Sequence, residues 1–222
     1  MILAPVALSV SPARVVLVAP ASRTIALRNV GAERVVVDVA RKSVHVRRAA
    51  NEWLSIRPAH LVLRAGSRAL LTLRATAGPG SGPGDHQLRL LLIARPRDRS
   101  RVAVRLRLGI GVRVRVPGRI VRRLEVRGLR VRRQGNARLL LVSVANRGNV
   151  TEHLGGHLTV TLVRSGQFVS RLRLRSRREL FPGAGAVLML QYAGHVRGPV
   201  TAVVKVHLGV NRTLERRYRI RL

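Results

Sequence analysis

Between Arg101 and Gly118 the chain reads RVAVRLRLGIGVRVRVPG, and every even position from Val102 to Val116 is apolar. Val102, Val104, Leu106, Leu108, Ile110, Val112, Val114 and Val116 share one side of a two-residue period. Arg101, Arg105, Arg107, Arg113 and Arg115 share the other, with Ala103, Gly109 and Gly111 between them. Successive side chains of a β-strand point to opposite faces, so this alternation predicts a half-buried strand. The same period returns in RLRLR around Leu172 and Leu174 and in YRIRL at the end of the chain. Nowhere is a helical spacing of apolar residues sustained over three turns. Val-rich runs of four to eight residues alternate with Gly, Pro, Asn and Ser, the pattern of short strands and turns.

The runs are arranged twice. TIALRNVGAERVVVDV, from Thr24, and LLLVSVANRGNVTEHL, from Leu139, each carry an alternating apolar run, Asn-x-Gly and a second run. Asn29 and Asn146 stand 117 residues apart, as do Gly66 of LRAGSRALLTLRA and Gly183 of LFPGAGAVLMLQYA. Pro83-Gly84-Asp85 before QLRLLLIA and Gly198-Pro199-Val200 before TAVVKVHLGV keep nearly the same distance. Landmarks in register argue for a duplicated module. The expected architecture is all-β, two tandem immunoglobulin-like β-sandwich domains of seven or so strands each, spanning 1–117 and 118–222 with the turn at Pro117-Gly118. Each is large enough to bury a core, which the absence of cysteine requires, since no disulfide can staple it.

The opening MILAPVALSVSPA is apolar but has no basic flank and is broken by Pro5. It is read as a first strand or as the remainder of a signal peptide. No run approaches the roughly 20 apolar residues of a membrane helix, so no membrane span is expected.

Charge sets the class of partner. The net charge is +34, and of the 43 basic residues only Lys42 and Lys205 are lysine. Such a field attracts nucleic acid, anionic glycopolymers and acidic lipid headgroups. Aromatic residues make up 2% of the chain (Trp53, Phe168, Phe181, Tyr192 and Tyr218), too few for a base-stacking platform.

Two family resemblances bear on function. Trp53-Leu54-x-Ile56-x-Pro58, followed by Leu61-x-Leu63-x-Ala65-Gly66, resembles bacterial envelope Ig-like modules. These are the peptidoglycan-binding domain of WxL-interacting proteins and the NEW-type modules associated with glycosidases. The second module is similar in order but lacks the tryptophan. The long alternating strand closing the first module is similar to that of two-domain periplasmic pilus chaperones. In that family the strand lends its apolar residues to a pilus subunit, and basic residues anchor the subunit's C-terminal carboxylate. Where the family has Tyr-Arg-Pro at the junction, this chain has Arg115-Val116-Pro117.

The candidate binding residues for a polyanion or partner are Arg101, Arg105, Arg107, Arg113 and Arg115, then Arg122 and Arg123, then Arg171, Arg173 and Arg175. Arginines directly opposite one another on neighbouring strands repel, so such faces gain from a counter-anion. The bland alternative is a solvated outer face that keeps a sheet soluble. The nine acids are scattered singly, with no nucleophile elbow and no phosphate-binding glycine loop, so no enzymatic activity is expected. HLGGH at His153–His157 lacks a third ligand at metal spacing and is read as a loop; no metal or cofactor is expected.

The leading expectation is a non-catalytic envelope or extracellular protein. It would bind an anionic cell-wall polymer, of peptidoglycan or teichoic type, or a protein partner through its arginine faces. One alternative is a cytoplasmic, nucleic-acid-associated basic protein, and non-specific nucleic-acid binding in vitro is expected in either case. The other is a pilus-type assembly chaperone donating strand 102–116.

Overall fold

The computed structural model describes residues 6–43, 54–78, 80–97, 105–176, 178–208 and 212–222. Every regular element among them is a strand, and the chain is two immunoglobulin-like β-sandwiches in tandem. It divides into two compact units, Met1–Arg119 and Ile120–Leu222.

The first unit contains β1 (Leu8–Ser11), β2 (Arg14–Val18), β3 (Ala21–Asn29), β4 (Val35–Ser43), β5 (Leu54–Arg57), β6 (His60–Leu63), β7 (Arg68–Ala75), β8 (Gly84–Pro96) and β9 (Leu106–Val116). One sheet has the order β1-β3-β7-β5 and the other β2-β9-β8-β4-β6. Alternation decides which side chains face inward. Ile25, Leu27, Leu71 and Leu73 from the first sheet form one core with Val35, Val37, Leu88, Leu90, Leu92, Ile110, Val112 and Val114 from the second. Each such buried side chain contributes roughly 1.5–3 kcal/mol of transfer free energy.

The second unit contains β10 (Leu124–Gln134), β11 (Ala137–Asn146), β12 (Glu152–His153), β13 (Leu158–Arg164), β14 (Gln167–Arg173), β15 (Glu179–Leu180), β16 (Gly185–Tyr192), β17 (Pro199–Leu208) and β18 (Arg212–Arg221). Its sheets are β10-β11-β16 and β14-β13-β17-β18, with β12-β15 as a short ribbon. Leu140, Val142, Val144, Leu158, Val160, Leu162, Leu188, Leu190, Val204 and Val206 fill its core.

The 117-residue offset recurs at the level of single hydrogen bonds. Asn29 is fully buried; its Nδ2 donates to the carbonyls of Glu33 (2.7 Å) and Leu63 (3.3 Å), and its Oδ1 accepts from Gly31 N (3.0 Å). Asn146, equally buried, donates from Nδ2 to Val150 (2.7 Å) and Leu180 (2.8 Å) and accepts from Gly148 N (2.9 Å). Glu33, Leu63 and Gly31 each have their counterpart 117 residues on, while Asn29 Nδ2 also reaches the Arg64 carbonyl at 3.2 Å. Gly66 N donates to the Asn29 carbonyl and Gly183 N to the Asn146 carbonyl, with φ of +74° and +76°. That left-handed backbone is why both positions are glycine. Gly148 also lies so close to the Val121 carbonyl oxygen that a Cβ would overlap it.

The two units differ at two places. The opening strand of the first splits between the sheets, β1 on β3 and β2 on β9, whereas β10 stays on β11 throughout. β5 pairs with β7 in the first unit, whereas in the second β14 pairs with β13, across the sandwich. Asn146→Ala leaves the Val150 and Leu180 carbonyls and the Gly148 amide without their partner. It is expected to cost about 3 kcal/mol, read as a fall in the urea midpoint. Asn136→Ala, on an exposed turn, is expected to cost under about 0.5 kcal/mol.

Candidate functional site

β9 is covered unequally on its two sides. Along its whole length it pairs with β8, from Gly84↔Val116 to Ala94↔Leu106. On its other side β2 covers only Gly111–Arg115, in a parallel ladder. The cause is a change of sheet: the chain pairs with β3 as far as Ser11 and begins its ladder with β9 at Arg14. Among the described residues, no strand covers that side of Leu106–Ile110.

The backbone groups on that side follow from parity. Gly111 N donates to the Ala13 carbonyl (3.2 Å) and the Arg115 carbonyl accepts from Ala19 N (2.9 Å), so odd residues of β9 address this side. Arg107 and Gly109 therefore present N–H and C=O groups along the open edge. The even residues grade from core to rim. Ile110, Val112, Val114 and Val116 are buried, whereas Leu106 and Leu108 are half-buried at the edge of the core. Leu8 and Val10 of β1 are rim members of the same core.

The arginines separate into anchored and unanchored sets. Arg115 grips Asp85 with two bonds, Nε to Oδ1 at 2.6 Å and Nη2 to Oδ2 at 2.9 Å, and the Asp85 side chain is 2% exposed. Arg122 Nη1 meets the buried Glu152 Oε2 at 2.9 Å. Both guanidiniums hold the fold, because an unpaired buried carboxylate is costly. Arg113 is half-buried and engaged in the protein. Arg105, Arg107, Arg123, Arg171, Arg173 and Arg175 are exposed and form no ion pair among the described residues. Arg101 lies outside the described residues, as do Val102, Val104 and Trp53.

In the second unit the register of β14-β13-β17-β18 gathers cations that are distant in sequence. Arg173, Thr159, Lys205 and Glu215 stand side by side across the four strands; Arg171, Thr161, Val203 and Arg217 form the next row. Together with Gly156 and His207 they line a shallow trough of about 500 Å³. Lys205 and Arg217 were not among the sequence candidates. The arginine alternation of β18 is visible in the sequence, but which strands lie beside it is not. Lys205 Nζ (3.0 Å) and Arg217 Nε (3.1 Å) both reach Glu215, and they hold its carboxyl below the usual carboxylate range, Lys205 foremost. Other described acids are likewise taken: Asp38 by His60 and Arg95, Glu125 by Arg147, and Glu179 by His153. No group of three metal-ligating side chains occurs among the described residues.

No family model matches the chain, and no curated protein matches it. Solved structures do. The class 5 fimbriae chaperone CfaA aligns with 95% of this chain and 98% of its own, at TM-score 0.58 and 14% identity. The fold is that of the fimbrial chaperones. A structure from work on a chaperone–tip adhesin complex in CFA/I fimbriae biogenesis has the same coverage and identity at TM-score 0.56. The E. coli chaperone DraB covers 98% of both chains at TM-score 0.51 and 18% identity. Of the two resemblances in the sequence, these support the two-domain chaperone. The WxL-interacting and NEW-type likeness rests on a motif whose tryptophan lies outside the described residues. No helix among the described residues is long and apolar enough to cross a membrane.

Two measurements check the geometry. In the isolated chain, the amides of Arg107 and Gly109 are expected to exchange with solvent faster than those of Gly111, Arg113 and Arg115, resolved by NMR. Carbon-detected titration is expected to place the Glu215 midpoint below the usual carboxylate range, and Lys205→Met to move it upward. The Glu215 contacts are thus present above the usual range and lost as pH falls through the lowered midpoint.

Proposed function

We propose that the chain is a non-catalytic assembly chaperone of pilus type, acting in the bacterial envelope, whose partner is a protein that adds a strand to β9. The observation that carries this reading is the half-covered edge at Leu106–Ile110. Backbone donors and acceptors at Arg107 and Gly109 offer hydrogen bonds to an incoming strand, and the half-buried Leu106 and Leu108 offer apolar contact on the core side. The likeness to fimbrial chaperones over nearly the whole chain supports it. Gly111–Arg115, tied to β2 and through Arg115 to Asp85, would give the exposed half a rigid base.

The half-buried residues are the ones to alter. Ile110 is 1% exposed, so a charge there removes the core along with any partner, whereas Leu108 sits on the rim. A photo-reactive amino acid at position 107 in source cells is expected to cross-link an envelope protein, identified by mass spectrometry. Leu108→Asp is expected to abolish that adduct while the thermal midpoint of the purified chain stays within a few degrees, about 1 kcal/mol for a domain of this size. If the label at 107 yields no more adduct than one at Arg217, the edge is not the site.

A further inference from the structure

The trough of the second unit is a separate feature from the β9 edge, and its chemistry calls for a different ligand. Its walls are Arg171 and Arg173 on β14 and Arg217 on β18; its floor carries the Thr159 and Thr161 hydroxyls and the Lys205 ammonium. Alternate residues on one strand lie about 6.8 Å apart and neighbouring strands about 4.8 Å apart, so Arg171 and Arg217 face each other across roughly 14 Å. Glu215 is the one acid among the lining residues, and it is already held by Lys205 and Arg217. Arg171 and Arg173 are exposed like charges on one face with no acid beside them among the described residues. Arg175 continues the row at the rim of an adjoining depression formed with Gly156 and Leu174. A face of this kind is stabilised by an anion that meets several guanidiniums in turn.

We infer that this trough binds a non-aromatic phosphate polymer, a flexible chain of phosphates without bases. The shape is open and shallow, which suits an extended chain over an enclosed small molecule. No Phe, Tyr or Trp lines it, and its one aromatic ring, the His207 imidazole held to the Thr213 hydroxyl at 3.0 Å, is not the row of rings on which successive nucleic-acid bases stack. Val203 is its only large apolar side chain, too little to anchor a peptide, whose affinity depends on buried apolar contacts. Guanidinium forks, an ammonium and hydroxyl donors are the groups that hold phosphate oxygens.

A chain of net charge +34 attracts every polyanion, so affinity alone decides nothing. The test compares variants of equal charge in the full chain, with fluorescently labelled inorganic polyphosphate as the probe. The double variant Arg171→Ser, Arg173→Ser is expected to lose about tenfold in affinity at fixed salt and to flatten the dependence of log affinity on log salt. Arg105→Ser with Arg107→Ser, in the first unit, removes the same charge and is expected to change affinity less than about twofold. Glu215→Gln releases Lys205 and Arg217 and is expected to tighten binding more than Glu125→Gln, which adds the same charge outside the trough, a gain that misfolding cannot imitate. Equal losses in the two double variants overturn the inference, because they reveal only a diffuse field. Polyuridylate or polyglutamate binding more tightly than polyphosphate, with the same dependence on Arg171 and Arg173, overturns it in favour of a nucleic acid or an acidic protein segment. Failure of the cross-link at position 107 would remove the chaperone reading and leave this result standing.

Discussion

Each unit is organised around one buried carboxamide. Asn29 and Asn146 are fully buried beside cores made mostly of Leu, Ile, Val and Ala, where an unpaired amide would be costly, and both side chains donate and accept. The Nδ2 donors tie the strand carrying the asparagine to the carbonyls of Leu63 or Leu180, at the ends of β6 and β15. The Oδ1 acceptor fixes the loop after that strand through Gly31 or Gly148. Register follows: the pairing of Val35 with Leu63 in β4–β6 reappears as Glu152 with Leu180 in β12–β15. A lock that sets three segments at once leaves the remaining strands to differ, as β5 and β14 do.

The second constraint is the change of sheet between Ser11 and Arg14. One short segment cannot lie along the whole of β9 while also completing the ladder with β3, so the strand is covered over half its length only. The Asp85–Arg115 pair lies at the covered end, where β8 and β9 are in register. The result is one continuous strand with a fixed half and an available half. Under the proposed chaperone function, that division would give the alternating arginine strand a use its outer face does not require: recognition by the backbone, with Leu106 and Leu108 supplying the apolar contact.

Much of this was legible in the residues. The two-residue period predicted strands throughout, and the Asn-x-Gly and Gly66/Gly183 landmarks marked a duplication whose hydrogen bonds, visible only in the fold, match 117 residues apart. Pattern could not distinguish one arginine from another, because all of them alternate with apolar residues in the same way. Arg115 and Arg122 became structural only when the fold brought Asp85 and Glu152 to them, 30 residues away in each case. The trough escaped notice for a related reason: Lys205 and Arg217 join Arg171 and Arg173 only through the strand order β14-β13-β17-β18. Likewise, eight equivalent apolar positions gave no sign that Ile110 is core and Leu108 is rim. Coverage by a neighbouring strand sets that difference, and it is decided by Ser11–Arg14, far away in sequence.

The most direct test of the half-open strand uses the absence of native cysteine, which allows a single nitroxide label to be placed without background. Labels at positions 107, 113 and 217 are introduced one at a time. Their mobility is measured by electron paramagnetic resonance in the chain alone and in the complex isolated from its source cells. Immobilisation at 107 on complex formation, with 113 and 217 unchanged, is the predicted result. A label that stays mobile at 107 while the one at 217 is immobilised would contradict it, placing the partner on the second unit instead.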